Sequence, residues 1–194
     1  ERNGHVLDDP RLRLRLEDAK TFLQVTPCRY DVIISEPSNP WMAGVAGVFT
    51  AEFYASCRDR LEPTGLMAQW FHNYEASDEM METILATFVS VFPHMTVWEP
   101  WPGDMILIGS ARPWTVDLAA LERRFNEASV QQNLRTVGLN TVSAVLSLEA
   151  IPQESARYLP AEWTALHTDY QPALDYAAAQ SFFVRSYALS WKPA

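Results

Sequence analysis

The six residues Tyr30–Ser35 (YDVIIS) run directly into Glu36-Pro37-Ser38-Asn39-Pro40-Trp41, and no other junction in the chain constrains the fold as much. The run is short, apolar and rich in β-branched side chains, the composition of a parallel strand covered on both faces. Parallel strands need crossover connections, so the junction implies an α/β architecture. In open α/β sheets ligands bind outside the carboxyl ends of the strands. Glu36 stands at such an end, followed by turn-forming residues, and is the first candidate for a catalytic residue.

Composition sets the outer bounds. A chain of 194 residues, 48% hydrophobic and 20% charged, can bury one substantial core. A net charge of −9 opposes a phosphate backbone as partner and is compatible with a cationic one. Nucleic acid is therefore not an expected partner. Cys28 and Cys57 are the two cysteines, without CxxC spacing, and read as reduced cytosolic thiols. His72, His94 and His167 lack metal-ligand spacing, so no metal is expected. No apolar run reaches the ~18 residues of a membrane span, and the first residues carry no signal-peptide pattern, so the expected location is cytoplasmic.

The remaining pattern alternates strands with helices and then turns helical. In Arg11–Leu16 (RLRLRL) strict alternation puts three leucines on one face and three arginines on the other, which predicts a half-covered strand near a sheet edge. Thr50 caps a helix to about Leu61, ended by Pro63–Gly65. A strand over Leu66–Phe71 follows, then a helix opened by Ser77 or Asp78, in which Met81, Ile84, Leu85, Phe88 and Phe92 share one face. Met95–Glu99 and Met105–Ser110 read as strands of an antiparallel hairpin around Pro100–Asp104. Helices are expected at roughly 117–129, 141–149 and 172–184. The domain boundary is placed at 112, with residues 113–194 as a helical C-terminal extension.

The succession DPRLRLRLEDAKTFL, YDVIISEPSNP, VFTAEFYASCRDRLEPTGLMAQW and the closing hairpin, about residues 8–110, resembles the polyamine aminopropyltransferases, the spermidine and spermine synthases. The EPSNPW wording and LHTDYQPALDYAAAQSFF at 166–183 are most similar to a bacterial subgroup of spermidine-synthase-like proteins often fused to membrane segments. The resemblance implies the Rossmann-like class I methyltransferase fold. Here it would be the C-terminal part of that sheet with a closing antiparallel hairpin, followed by a helical tail.

The resemblance also assigns roles. Asp18 matches the acidic residue that accepts a hydrogen bond from the adenine amino group of the nucleoside, with Ala19 beside it; its other reading is the N-cap of the helix containing Phe22. Glu36 matches the family's catalytic aspartate, which takes a proton from the attacking amine, and the resemblance places both Glu36 and Pro37 in the nucleoside site as well. A primary amine near pKa 10 is mostly protonated at neutral pH, so a sheltered carboxylate has a task as base and counter-ion. Gln69 matches a substrate-contacting glutamine, and Trp101 takes the place of a substrate-lining tyrosine. With Trp41 and Trp70, Trp101 is suited to wall an alkyl chain or face a cation, and packing is an equal reading for each. Thr168-Asp169-Tyr170 resembles a Thr-Asp-Asp turn of the fused subgroup and reads as structural.

Two departures stand beside these matches. The synthases carry an aspartate where this chain has Asn39, which weakens diamine recognition. The strand, Gly-rich turn and second strand with which the fold begins are absent from the sequence, so the chain is expected to be the C-terminal part of a longer protein. The implied activity is aminopropyl transfer from decarboxylated S-adenosylmethionine to an amine such as putrescine, without metal, in a homo-oligomer. Two alternatives stay open: a non-catalytic nucleoside- or polyamine-binding module, and a methyltransferase using S-adenosylmethionine itself.

Overall fold

In the computed structural model the described residues are 5–38, 42, 44–156, 163, 165–177 and 188. Their centre is a five-stranded mixed sheet of β1 (Tyr30–Ser35), β2 (Leu61–His72), β3 (His94–Trp101), β4 (Asp104–Ser110) and β5 (Glu149–Ile151), in the order β1-β2-β4-β3-β5. β1 and β2 are parallel, and the remaining neighbours are antiparallel. This is an α/β sheet with the expected closing antiparallel hairpin.

Local chemistry accounts for the elements. α1 (Ala19–Val25) starts at Asp18, whose carboxylate accepts from the Thr21 amide. α2 (Ala51–Arg60) is capped by Thr50, with Glu52 in its first turn, where the helix dipole favours an acid. The crossover from β1 to β2 runs through a 3-10 helix, Ala46–Phe49, and α2. α3 (Asp78–Val91) is capped by Ser77 and lies against the sheet with Met80, Met81, Ile84, Leu85 and Phe88 buried. At the hairpin Trp101 pairs with Asp104 around Pro102-Gly103, and Gly103 has φ +91°, a conformation that suits glycine after proline in a tight turn.

The core is the layer between sheet and helices. Met67, Phe71, Met95, Val97, Met105 and Leu107 meet Tyr54, Phe88 and Phe92, and the Tyr54 and Phe88 rings stand edge to face at 5.1 Å. Gly109 admits this contact: a Cβ there would lie 2.7 Å from Cβ of Phe92 and closer still to the Phe88 ring.

The structure differs from the sequence reading in several elements. Arg11–Leu16 forms no strand, because no described strand lies alongside to complete a ladder; Leu14 and Leu16 are exposed. β1 is an edge strand among the described residues, with Val32 and Ile34 exposed instead of covered on both faces. Pro63–Gly65 does not end α2, which stops at Arg60. These residues form an irregularity within β2 where the register with β1 shifts, and Gly65 is tightly seated, since a Cβ there would lie 3.0 Å from the Tyr30 carbonyl.

Beyond residue 112 come α4 (Leu118–Phe125), α5 (Ala128–Thr136), α6 (Val142–Leu146), β5 and α7 (Gln153–Ala156). Among the described residues this segment carries four helices and β5, which extends the sheet through Val97 and Trp98 of β3. The Gln153 amide group also pairs with both backbone groups of Trp114. Most of the helix expected at 172–184 falls outside the described residues.

Candidate active site

Glu36 leaves the sheet one residue after β1, at the carboxyl end of the parallel pair, where Ser35 stands opposite Gln69 of β2. Its neighbours form the floor and walls of a cleft of about 790 Å³. Val32, Ile34, Ser35, Glu36 and Pro37 supply the floor; Ala19, Phe22 and Leu23 of α1 supply one wall. Val48 of the 3-10 helix and Phe53 of α2 supply the other. The volume lies in the range of small-molecule sites, and the largely apolar lining suits a ligand with a planar ring or an alkyl chain.

The rim is charged. Arg13, Arg15 and Glu17 face the cleft, and the Arg15 guanidinium lies 5.1 Å from the centre of the Phe22 ring. The arginine face of RLRLRL, read from the sequence as a solvent edge, borders the site instead. Asp18 caps α1 by accepting from the Thr21 amide at 2.7 Å. The backbone and side-chain hydrogen bonds of Thr21 hold its carboxyl below the ordinary carboxylate range. Its neighbours Glu17 and Ala19 line the cleft.

The other candidates are spread along the carboxyl ends of the strands. Gln69 is fully buried, and its Nε2 donates to the carbonyls of Trp70 at 2.9 Å and Ser35 at 3.4 Å. It holds the end of β1 and does not line the cleft. Trp101 is 71% exposed at the hairpin tip, on β3, three positions along the sheet from β1. At about 4.8 Å per strand that is ~14 Å, so the ring is no wall of this cleft. Trp70 packs near His72, with centroids 5.6 Å apart. Asn39 and Trp41 lie outside the described residues.

His72 is engaged in the hairpin end of the sheet. Its Nδ1 donates to the Tyr74 carbonyl at 2.7 Å, and its ring stacks on Tyr74. Among the described residues no group of three His, Cys, Asp or Glu side chains is placed to hold a metal, and no helix is long and apolar enough to cross a membrane.

One constellation escaped the sequence reading. Segment 167–174 returns to the helices beside the cleft, with Lys20 of α1 bonded to Asp169 at 2.5 Å. The buried His167 ring donates from Nε2 to the Ala46 carbonyl at 2.9 Å and accepts at Nδ1 from the Leu174 amide at 3.2 Å. The spacing of 149 residues between Lys20 and Asp169 left no local signal for the pair.

Comparison with known proteins identifies the family. The spermine/spermidine synthase domain matches residues 1–102, and the chain belongs to that family. A polyamine aminopropyltransferase of Clostridium perfringens (strain SM101) is 32% identical over 134 residues, covering 66% of this chain and 47% of the relative. Another, from Erwinia tasmaniensis, is 28% identical over 152 residues, covering 74% of this chain and 53% of the relative. The chain thus spans about half the length of these curated relatives. A crystal structure of a probable spermidine synthase from Corynebacterium glutamicum matches with 25% identity and a TM-score of 0.44, covering 66% of this chain and 52% of that one.

Proposed function

We propose that the chain supplies the catalytic-carboxylate side of an aminopropyltransferase site, with decarboxylated S-adenosylmethionine as donor and an amine such as putrescine as acceptor. The observation that carries this reading is the position of Glu36: at the carboxyl end of β1, on the floor of the cleft that α1 and the 3-10 helix enclose. Ala19 and Pro37 border the nucleoside in this reading, and Asp18 reaches the adenine amino group with the carboxylate oxygen that does not cap α1. Asn39, three residues after Glu36, is the residue assigned to the acceptor end, because Gln69 and Trp101 do not line the cleft.

In the reaction the neutral amine nitrogen attacks the propyl methylene beside the sulfonium. The carbon–sulfur bond breaks, its electron pair stays on sulfur, and methylthioadenosine leaves. The Glu36 carboxylate takes the proton whose removal frees the primary amine for attack, and the product leaves as its secondary ammonium. Positioning and exclusion of water carry much of the rate, because the sulfonium is already a good leaving group.

The open edge of β1 supports a further part of the proposal: a strand from another chain, in a homo-oligomer, or from elsewhere in the same protein pairs with it. The second reading is a non-catalytic module of the same fold. The separation of Trp101 from the Glu36 cleft favours it, since the expected acceptor residues do not converge there.

The decisive experiment follows labelled aminopropyl transfer to putrescine by the full-length protein and by Glu36→Gln. We expect transfer in the first and a loss of ~10²–10⁴ in kcat in the second, the usual scale for general acid–base catalysis. Undiminished transfer by Glu36→Gln removes Glu36 from the mechanism. No transfer by either moves the assignment to the non-catalytic module.

A further inference from the structure

Segment 167–174 makes more contacts with the cleft's walls than a passive turn requires. Asp169 binds Lys20, which sits one residue after Ala19 on α1, and Lys20 also reaches Thr50 Oγ1 at 3.5 Å. The Asp169 amide donates to Glu52 of α2 at 3.0 Å. The His167 carbonyl accepts from the Ala51 amide at 3.0 Å, and the His167 amide donates to Thr87 of α3 at 2.9 Å. Through its ring His167 holds the Ala46 carbonyl at the start of the 3-10 helix. Val48 lies two residues on, in the opposite wall.

The turn itself is internally braced. Thr168 and Gln171 exchange hydrogen bonds, the Gln171 amide to Thr168 Oγ1 at 2.9 Å and the Thr168 amide to the Gln171 carbonyl at 3.1 Å. A rigid turn that grips both walls fixes the distance between them. Each bond is modest alone. Together they tie α1, a short helix of seven residues with Leu23 as its one buried side chain, to α2 and α3. So short a helix has little stability of its own and takes its position from its tertiary contacts.

We propose that segment 167–174 is a latch that sets the position of α1 against the 3-10 helix and α2, and that Lys20 and Asp169 are positioning residues for the cleft. The consequence for nucleoside binding rests on the aminopropyltransferase reading above; the mechanical coupling does not.

The test separates the two. Hydrogen exchange of the full-length protein reads α1 without any reaction. Asp169→Asn should speed exchange of the α1 amides on the order of 2- to 5-fold, the factor corresponding to a partly exposed ion pair. Asp169→Glu should restore the slower rate, and so should the swap Lys20→Glu with Asp169→Lys. Lys20→Met reports the same coupling should Asp169→Asn fail to fold. Unchanged α1 exchange in Asp169→Asn or Lys20→Met overturns the latch, as does accelerated exchange that neither restoring variant reverses.

The second arm is steady-state kinetics with decarboxylated S-adenosylmethionine. A latch variant should raise KM for the donor by a similar 2- to 5-fold with kcat retained, in contrast to Glu36→Gln, which lowers kcat. A fall in kcat with KM unchanged overturns the positioning role. Absence of transfer in the wild-type protein counts against the aminopropyltransferase reading alone, because the exchange arm still decides the latch.

Discussion

Gln69 donates from Nε2 to the carbonyl of Ser35 at 3.4 Å, joining the ends of β1 and β2 at the point where Glu36 leaves the sheet. Both partners stand at the carboxyl ends of parallel strands, and Gln69 has no exposed surface. The glutamine that the family resemblance assigns to substrate therefore has a structural task here: it fixes the strand end that carries the candidate base.

The first prediction concerns this contact. Gln69→Leu keeps the volume of the side chain and leaves the Ser35 and Trp70 carbonyls without their donor, so stability should fall by about 1–3 kcal/mol. Denaturant unfolding monitored by far-UV circular dichroism measures it. An unchanged midpoint would show that the buried amide contributes nothing to the strand end.

A second prediction follows from Gly109. Its missing side chain leaves room for the Phe88 and Phe92 rings, which pack with centroids 5.1 Å apart. Gly109→Ala forces α3 or the rings to move, and overpacking of this kind costs about 1–3 kcal/mol. The companion Gly138→Ala sits at φ +81° with nothing within 4 Å of its Cβ, so its cost is strain in the backbone alone. Thermal unfolding of the two variants should show core broadening only in Gly109→Ala, seen as lost dispersion of the Phe88 and Phe92 ring signals.

How much of this was legible in the sequence depends on the range of the interaction. Capping by Asp18, Thr50 and Ser77, the buried face of α3 and the Pro102-Gly103 hairpin are set by residues within a few positions of one another, and each appears as read. The position of Glu36 likewise follows from one strand and its end. Arg11–Leu16 failed because alternation describes only one strand, while a ladder needs two. β5 was missed because three residues carry no period, and its existence depends on the free edge of β3. Lys20–Asp169 depends on two residues 149 positions apart, which nothing but the completed fold brings together.

The third prediction is acid lability of segment 167–174. Burial pushes the His167 ring below its ordinary pKa of 6.5, against the opposing pull of the Ala46 carbonyl and of Asp175, Asp169 and Glu52. A depressed histidine means that the unfolded chain binds protons more readily. Stability is therefore full above 6.5 and falls as the pH drops below it. Protonation also destroys the Leu174 bond, because Nδ1 becomes a donor facing a donor. Asp169 acts in the same direction at lower pH. Burial opposes its charged form, yet the hydrogen bonds of Lys20 and Thr50 and the charges of Lys20 and His167 hold it below 3.8, so its contribution is lost as the pH falls through that depressed value. Unfolding followed from pH 8 to 4 should show a decline beginning near 6.5, and His167→Gln should flatten it; a flat wild-type profile contradicts the assignment.

The last prediction uses Asn39, where the family's usual aspartate is replaced. A diamine carries two positive charges at neutral pH, and Glu36 offers one carboxylate on the floor of the cleft. Asn39→Asp adds a second close by in sequence, and in the aminopropyltransferase reading it should tighten putrescine binding about 3- to 5-fold, the scale of a partly solvated ion pair. The gain should shrink as salt is raised, because the Debye length falls from about 10 Å at 0.1 M to about 3 Å at 1 M. Glu36→Gln should act in the opposite direction on putrescine while barely changing nucleoside affinity, since it keeps the shape of the side chain and the adenine contacts assigned to Asp18 and Ala19 are untouched. Titration calorimetry of putrescine and of methylthioadenosine against wild-type protein and both variants resolves the two effects. Equal putrescine affinity in all three proteins would place the diamine away from Glu36 and transfer the case to the non-catalytic module.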